Sequence, residues 1–241
     1  MIENAVVLAA GLGTRMRPVT DTIPKPLVTV HGKTLLDYAL DALAAGGVKN
    51  SVVNVHYLAE QIEAHVAPRQ APSIKISDER DALLDSGGGV KKAIGLFEPG
   101  PFFILNADSF WVEPDTSMIK TMRNQWNSKK MSMLLLVVPL EHAVGFDGKG
   151  DFFMDGEGRL SRRGEAESAP YVYAGAIIAN SKSFQSISAT KFSLNQLFDA
   201  AIEEGRLMGC VLQGLWLHVG TPQSISQAED AIDRYLSTLS K

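Results

Sequence analysis

The chain has 241 residues, of which 45% are hydrophobic and 21% charged, with a formal net charge of -4. This profile is that of a soluble globular protein and supplies enough chain to bury a sizeable core in one or two domains, with one domain that carries a subdomain expected. Its 23 basic residues are scattered and form no stripe, which excludes a nucleic-acid polymer as partner; no apolar stretch of about 20 residues is present, so no membrane partner is expected. One cysteine, Cys210, rules out a disulfide framework, and with no basic leader after Met1 the expected compartment is the cytoplasm.

In chain order, Ala5 to Ala10 is an apolar run ending in glycine and predicts a buried central strand. Thr34 can cap a helix whose Leu36, Ala39, Leu40 and Leu43 share one face, with Asp37 and Asp41 off that face and Gly46 and Gly47 ending it. Ser51 to His56 predicts a strand, Leu58 to Val66 a helix and Ile74 to Ser77 a short strand. The glycine-rich "DSGGG" at 85 to 89 precedes a helix to about Phe97, and "PFFILNAD" at 101 to 108 and Met131 to Pro139 predict two more strands. A polar stretch, 145 to 165, contains the hairpin-like "FFMDGEGRL"; Tyr171 to Ala179 returns as a strand, and helices follow near 194 to 204 and 222 to 239. Strands alternating with helices imply an α/β fold, a Rossmann-like mixed but mostly parallel sheet flanked by helices. A composition shift near 140 separates a larger first part, about 1 to 139, from a smaller subdomain with the C-terminal helices, about 140 to 241.

The stretch "LAAGLGTRMRP" at 8 to 18 places glycines directly after the first strand, where backbone N–H groups are open to a phosphate. A dinucleotide fingerprint requires a third glycine where Met16 stands, and a P-loop ending in "GKT" at 32 to 34 requires glycine where Leu27 stands, so both fail. What remains is a loop with Arg15 and Arg17 beside its glycines and Lys25 held between Pro24 and Pro26, whose rings stiffen the backbone that presents it. Each cation alone reads as a solvated surface charge; together beside a strand-end glycine loop they read as a polyphosphate site.

The stretch "LAAGLGTRMRPVTDTIPKPLVTVHGKTLLDYAL" resembles the N-terminal signature of the sugar-1-phosphate nucleotidyltransferases. "ILNAD" at 104 to 108 resembles that family's strand ending in a metal-binding aspartate, and "WLHVGTP" at 216 to 222 its tryptophan-x-aspartate-x-glycine-threonine-proline stretch. The short length, "LLDSGGGVKKA" at 83 to 93 and Asn106-x-Asp108 look most like the N-acetylmuramate-1-phosphate uridylyltransferases of bacterial cell-wall recycling, with mannose-1-phosphate guanylyltransferases second. The resemblance implies an enzyme that joins a nucleoside triphosphate, UTP before GTP, to a sugar 1-phosphate and releases pyrophosphate. It implies Arg15 on the departing pyrophosphate and Lys25 on the α-phosphate. Gly11 and Gly13 would lie at the nucleotide with Leu8, Ala10 and Thr14 around them, and Asp85, Ser86 and Gly87 would lie at the base. Asp108 is the implied ligand of Mg²⁺, or Mn²⁺, with His218 where the family has its second aspartate; Asn106, Glu165 and Gly175 belong to the implied sugar site in the subdomain.

His31, His65 and His142 have no acidic or cysteine neighbour at useful spacing and read as surface residues; His56 ends a strand on the side where open α/β sheets bind ligands. Trp111, Trp126 and Trp216 read as packing. Histidine at 218 also admits a nucleotide-binding regulatory module without catalysis, and the failed fingerprint leaves a Rossmann oxidoreductase as the remotest alternative.

Overall fold

The computed structural model describes residues 1–113 and 117–239. The chain opens with β1 (Asn4–Leu8), a loop carrying the glycines, the small pair β2 (Thr29–Val30) and β3 (Lys33–Thr34), and α1 (Leu35–Ala45). Next come β4 (Asn50–Val55), α2 (Ala59–Val66), β5 (Ser73–Asp78), α3 (Asp85–Ala93), β6 (Pro101–Asn106), β7 (Ser109–Val112) and α4 (Met118–Gln125). The second half contains β8 (Met133–Pro139), β9 (Ala143–Val144), β10 (Phe152–Met154), β11 (Leu160–Arg162) and β12 (Tyr171–Asn180). It ends with α5 (Asn195–Glu203), β13 (Leu207–Val211), β14 (Leu215–His218) and α6 (Gln223–Leu239).

The expected α/β sheet is present. Strands β6, β1, β4 and β5 lie side by side in parallel, so their C-terminal ends, and the loops that follow them, gather along one edge. Beyond β6 the sheet continues through β12, which runs antiparallel between β6 and β8, and then to β13, parallel to β8. The sheet thus crosses position 140 without a break. The expected hairpin is the pair β10 and β11, attached to the start of β12. A second, three-stranded sheet orders β7, β14 and β9, and holds His218 opposite Ser109.

Alternation of apolar residues along the strands gives each face of the sheet its own core. Val7, Val53, Phe103 and Leu136 meet Leu36, Leu40 and Leu43 of α1 and Met118 and Met122 of α4 on one side. Val6, Val52 and Ile104 meet Val90 of α3 and Leu197 and Phe198 of α5 on the other. A third cluster gathers Met16, Val30 and Leu35 beneath Ala228, Ala231 and Ile232 of α6. Thr34 caps α1 as expected, accepting from Asp37 N at 3.0 Å.

Asp37 and Asp41, off the apolar face of α1, meet partners distant in sequence. Arg69 contacts Asp37 at 2.7 Å and Asp41 at 2.8 Å, His65 reaches Asp37 at 2.9 Å and Lys33 reaches Asp41 at 2.6 Å. Burial pushes both carboxyls up, but the Thr34 hydroxyl, Arg69 and His65 outweigh it at Asp37, and Lys33 and Arg69 outweigh it at Asp41, so both lie below the usual carboxylate range. His65 therefore has an acidic partner, as has His31, which reaches Asp233 of α6 at 3.1 Å.

In β12 the pairing with β8 shifts register between Tyr173 and Ile177. Gly175 sits in that bulge at φ +85°, and a Cβ there would lie 2.3 Å from Ser109 Oγ, so the strand needs glycine for both conformation and space. Trp216 supports the bulge by donating from Nε1 to the Ala174 carbonyl at 2.9 Å.

Two outcomes follow from these contacts. The lowered carboxyls contribute stability that is present above about pH 4, the unfolded carboxylate range, and is lost as pH falls through their folded values. Urea unfolding measured from neutral to acid pH should show this fall, and Arg69→Met should make it shallower; an equal slope in the variant would remove the network as its cause. Gly175→Ala should lower the unfolding free energy by about 1–3 kcal/mol, from the left-handed backbone and the crowded Cβ; wild-type stability would contradict the bulge geometry.

Candidate active site

The loops at the C-terminal edge of the parallel strands enclose a cavity of about 470 Å³. Of the residues expected at the nucleotide, Leu8, Ala10, Gly11, Lys25, Asp85 and Ser86 line it, together with Asn106 and Asp108 from the end of β6 and beyond. A smaller cavity, about 200 Å³, adjoins it; Gly11, Lys25 and Asp108 line both, and Gly13, Thr14 and Arg15 line only the smaller one. The larger space is walled by the strand ends with Asp85 and Ser86, and the smaller by the glycine loop and its arginine.

The glycine loop is fixed from below. Gly13 has φ +64°, and a Cβ there would lie 3.1 Å from Lys25 Cβ, so glycine lets the lysine pass close to the backbone. Met16, where a dinucleotide fingerprint needs glycine, is fully buried in the third cluster and anchors a tight turn, Thr14–Met16. Its neighbours consequently part company: Arg15 lines the smaller cavity while Arg17 turns to Asp21 at 3.2 Å.

Lys25 Nζ donates to Asp108 Oδ2 at 3.0 Å. The lysine side chain is 11% exposed, whereas the aspartate keeps 37%, its free face turned to the cavities. Burial pushes the Asp108 carboxyl up, but Lys25, His218 and Arg15 hold it below its usual value, so it stays ionised. His218 Nδ1 donates to the Gly145 carbonyl at 3.2 Å. The backbone ties the two segments together, Val219 N donating to the Asp108 carbonyl at 3.1 Å.

Among the described residues no three His, Cys, Asp or Glu side chains converge as a metal cage. A single ionised carboxylate open to the cavities does fit a hard divalent cation of the kind that takes most of its ligands from a substrate's oxygens and from water. His218 lines neither cavity, and an imidazole is a softer donor than a carboxylate, better suited to Mn²⁺ than to Mg²⁺.

Other expected residues lie apart. The "DSGGG" glycines belong to α3, and Gly87 serves packing: a Cβ there would strike the Phe192 ring at 2.4 Å. Ser86 Oγ accepts from Leu194 N at 3.0 Å, joining the base loop to the start of α5. Gly175 packs against Asn106 and Ser109, one layer behind the cavity wall. Glu165 is exposed and lines neither cavity. His56 is bound to the Glu79 carbonyl at 2.7 Å and also lines neither. Trp216 is buried as expected. Asn54, Glu79 and Lys191 line the larger cavity and were not marked by the sequence; the first two stand alone amid apolar or charged surroundings, with no motif around them.

The nucleotidyl transferase family model matches residues 4–147. The chain is similar to the N-acetylmuramate alpha-1-phosphate uridylyltransferase of Caulobacter vibrioides, with 42% identity over 229 residues that cover 93% of this chain and 95% of that protein. It is similar also to the mannose-1-phosphate guanylyltransferase catalytic subunit beta of Danio rerio, with 30% identity over 91% of this chain and 62% of that one. A solved UDP-glucose pyrophosphorylase complexed with UDP-glucose has the same fold, with a TM-score of 0.78 and 16% identity over 97% of this chain and 99% of that chain. With the family match spanning more than half of the sequence, and a relative alike along nearly the whole of both chains, the protein is an enzyme of the nucleotidyl transferase family, one of the sugar-1-phosphate nucleotidyltransferases.

Proposed function

We propose that the chain transfers uridylate from UTP to N-acetylmuramate 1-phosphate, in the cytoplasm, for the recycling of cell-wall sugar. The observation that carries the choice of substrates is the 42% identity with the Caulobacter uridylyltransferase over 95% of that protein. Lys25 against Asp108, at the junction of the two cavities, supports the chemistry.

The reaction is an in-line displacement. An oxygen of the sugar phosphate forms a bond to the α-phosphorus of UTP; the bond to the bridging β-phosphate oxygen breaks and its electrons leave on pyrophosphate. No protein nucleophile is needed, so the chain acts by placing the reactants and offsetting charge. Uracil and ribose occupy the larger cavity beside Asp85 and Ser86, and the β- and γ-phosphates enter the smaller one against Gly13, Thr14 and Arg15. Lys25 turns from Asp108 to the α-phosphate, where negative charge accumulates, and frees the carboxylate. Asp108 would hold Mg²⁺, or Mn²⁺ with His218 as a further donor, and such an ion would supply Lewis-acid withdrawal of charge from the phosphates. Asn106 and the Gly175 side of the wall receive the sugar phosphate. Histidine at 218 leaves Arg15, Lys25 and Asp108 in place, which favours catalysis over a purely regulatory role.

Pyrophosphate release from a matrix of four nucleoside triphosphates against several sugar 1-phosphates tests this reading: highest kcat/KM with UTP and N-acetylmuramate 1-phosphate is expected, and preference for GTP with mannose 1-phosphate would replace it. In the same assay Lys25→Ala and Arg15→Ala should each lower turnover by about 10²-fold with the fold retained, and Arg17→Ala should do much less. Near-normal turnover in the first two would remove the mechanism. Asp108→Asn should abolish metal-dependent turnover while metal-free binding of UTP, read by calorimetry, persists; turnover at ordinary magnesium would put the metal ligand elsewhere.

A further inference from the structure

Asn54 and Glu79 are 3% and 1% exposed, among the few polar side chains in the interior, and both form part of the larger cavity's wall. Asn54, next to the last residue of β4, lies opposite Leu8, where the ladder with β1 ends. Its Oδ1 accepts from Ala9 N at 2.6 Å, so the side chain carries the pairing one residue past the strand into the glycine loop. Its Nδ2 donates to Glu79 Oε1 at 2.7 Å. Glu79 Oε2 in turn accepts from Leu84 N at 3.1 Å, and Leu84 is the residue from which α3 and the base loop start. The amide orientation follows from its neighbours, since an N–H on one side demands oxygen and a carboxylate on the other demands the amine.

These three hydrogen bonds connect the two segments that the nucleotide must touch at once. Residues 9–13 hold phosphates and residues 84–86 flank the base; nothing in the parallel ladder itself links them, because β4 lies between. Space for the link is made in α3: a Cβ on Gly89 would lie 2.7 Å from both Asn54 Nδ2 and Glu79 Oε1, the far ends of two side chains that are already held by partners. Third of the "DSGGG" glycines, Gly89 is accounted for by this contact. A buried carboxylate with both oxygens engaged is tolerated, and one left facing another acceptor is costly, so the connection resists stretching.

We propose that Asn54 and Glu79 are positioning residues that hold the phosphate loop and the base loop at the spacing of a nucleoside triphosphate. The inference rests on the reading of the two cavities given above. It predicts that the order of donors and acceptors matters and the identity of the side chains does not. Asn54→Asp sets one carboxylate against another. Glu79→Gln forces an amide amine against an N–H at one end. The double variant reverses the link: the amide introduced at 79 donates to the carboxylate introduced at 54, while Ala9 N and Leu84 N keep acceptors, and the net charge is unchanged.

The test measures KM for UTP, KM for the sugar 1-phosphate, the ratio of UTP to GTP turnover, and calorimetric binding of a non-hydrolysable UTP analogue in all four proteins. Each single variant should raise KM for UTP and weaken analogue binding by about tenfold or more, with KM for the sugar phosphate within about twofold of wild type. The double variant should return nucleotide binding to within about threefold of wild type, a recovery that loss of general stability would not give. Should Asn54→Asp fail to fold, Glu79→Gln against the double carries the same comparison. A double variant no better than its worse parent overturns the proposal. So does a Glu79→Gln protein whose UTP-to-GTP ratio changes and stays changed in the double, which would make Glu79 a direct base contact. Variants that bind the analogue as wild type does overturn the link alone, whereas wild type binding no analogue overturns the reading of the cavities and the link with it.

Discussion

One ion pair governs the arrangement of the site. Lys25 and Asp108 are 83 residues apart in sequence and 3.0 Å apart in space, and each is the counter-charge of the other. The lysine is almost enclosed, which is tolerable because a carboxylate meets it; the cations around that carboxylate hold its own titration low. Triphosphate and cation would exchange with this pair like for like, phosphate replacing carboxylate at the ammonium and metal replacing ammonium at the carboxylate. The free site therefore keeps its electrostatic balance with its own side chains, and ligands enter by substitution instead of by burying naked charge.

Such a pair demands rigid surroundings. Lys25 is carried by a short turn, Lys25–Leu27, bracketed by prolines, and passes within reach of Gly13 because no side chain stands there. Asp108 follows β6 and is fixed by the backbone of the strand that bears His218. Met16 supplies the floor, and by being buried it decides which arginine lines the smaller cavity. The reversed strand β12 completes the wall behind Asn106, with Gly175 filling a gap too narrow for any Cβ.

Much of this is written locally and was legible. The apolar runs of β1, β4, β5, β6, β8 and β12, the Thr34 cap and the cations beside the glycines can each be read from a few neighbouring residues. The Met16 position was read for what it excludes; its positive role, as an anchor, depends on α6 and is invisible locally. Helix α4 and strands β7, β13 and β14 were missed, being short segments whose burial is decided by neighbours far along the chain. The glycine run at 87–89 looked like a loop and is helix, because its glycines are there to admit Phe192, the Thr190 carbonyl and the Asn54–Glu79 link. Glu165 lines neither cavity, and nothing around it in the sequence states on which side of the subdomain it will lie.

The third core cluster ties together two stretches of the chain that lie far apart in sequence. The floor beneath the glycine loop consists of Met16, Val28 and Val30 together with Ala228, Ala231 and Ile232. The turn at Thr14–Met16 and the helix over residues 223–239 therefore share one packed surface. Loss of α6 would strip one side of the packing from Met16, the residue that sets Arg15 and Arg17 on different courses. A change in the last helix is thus expected to be felt in the first loop.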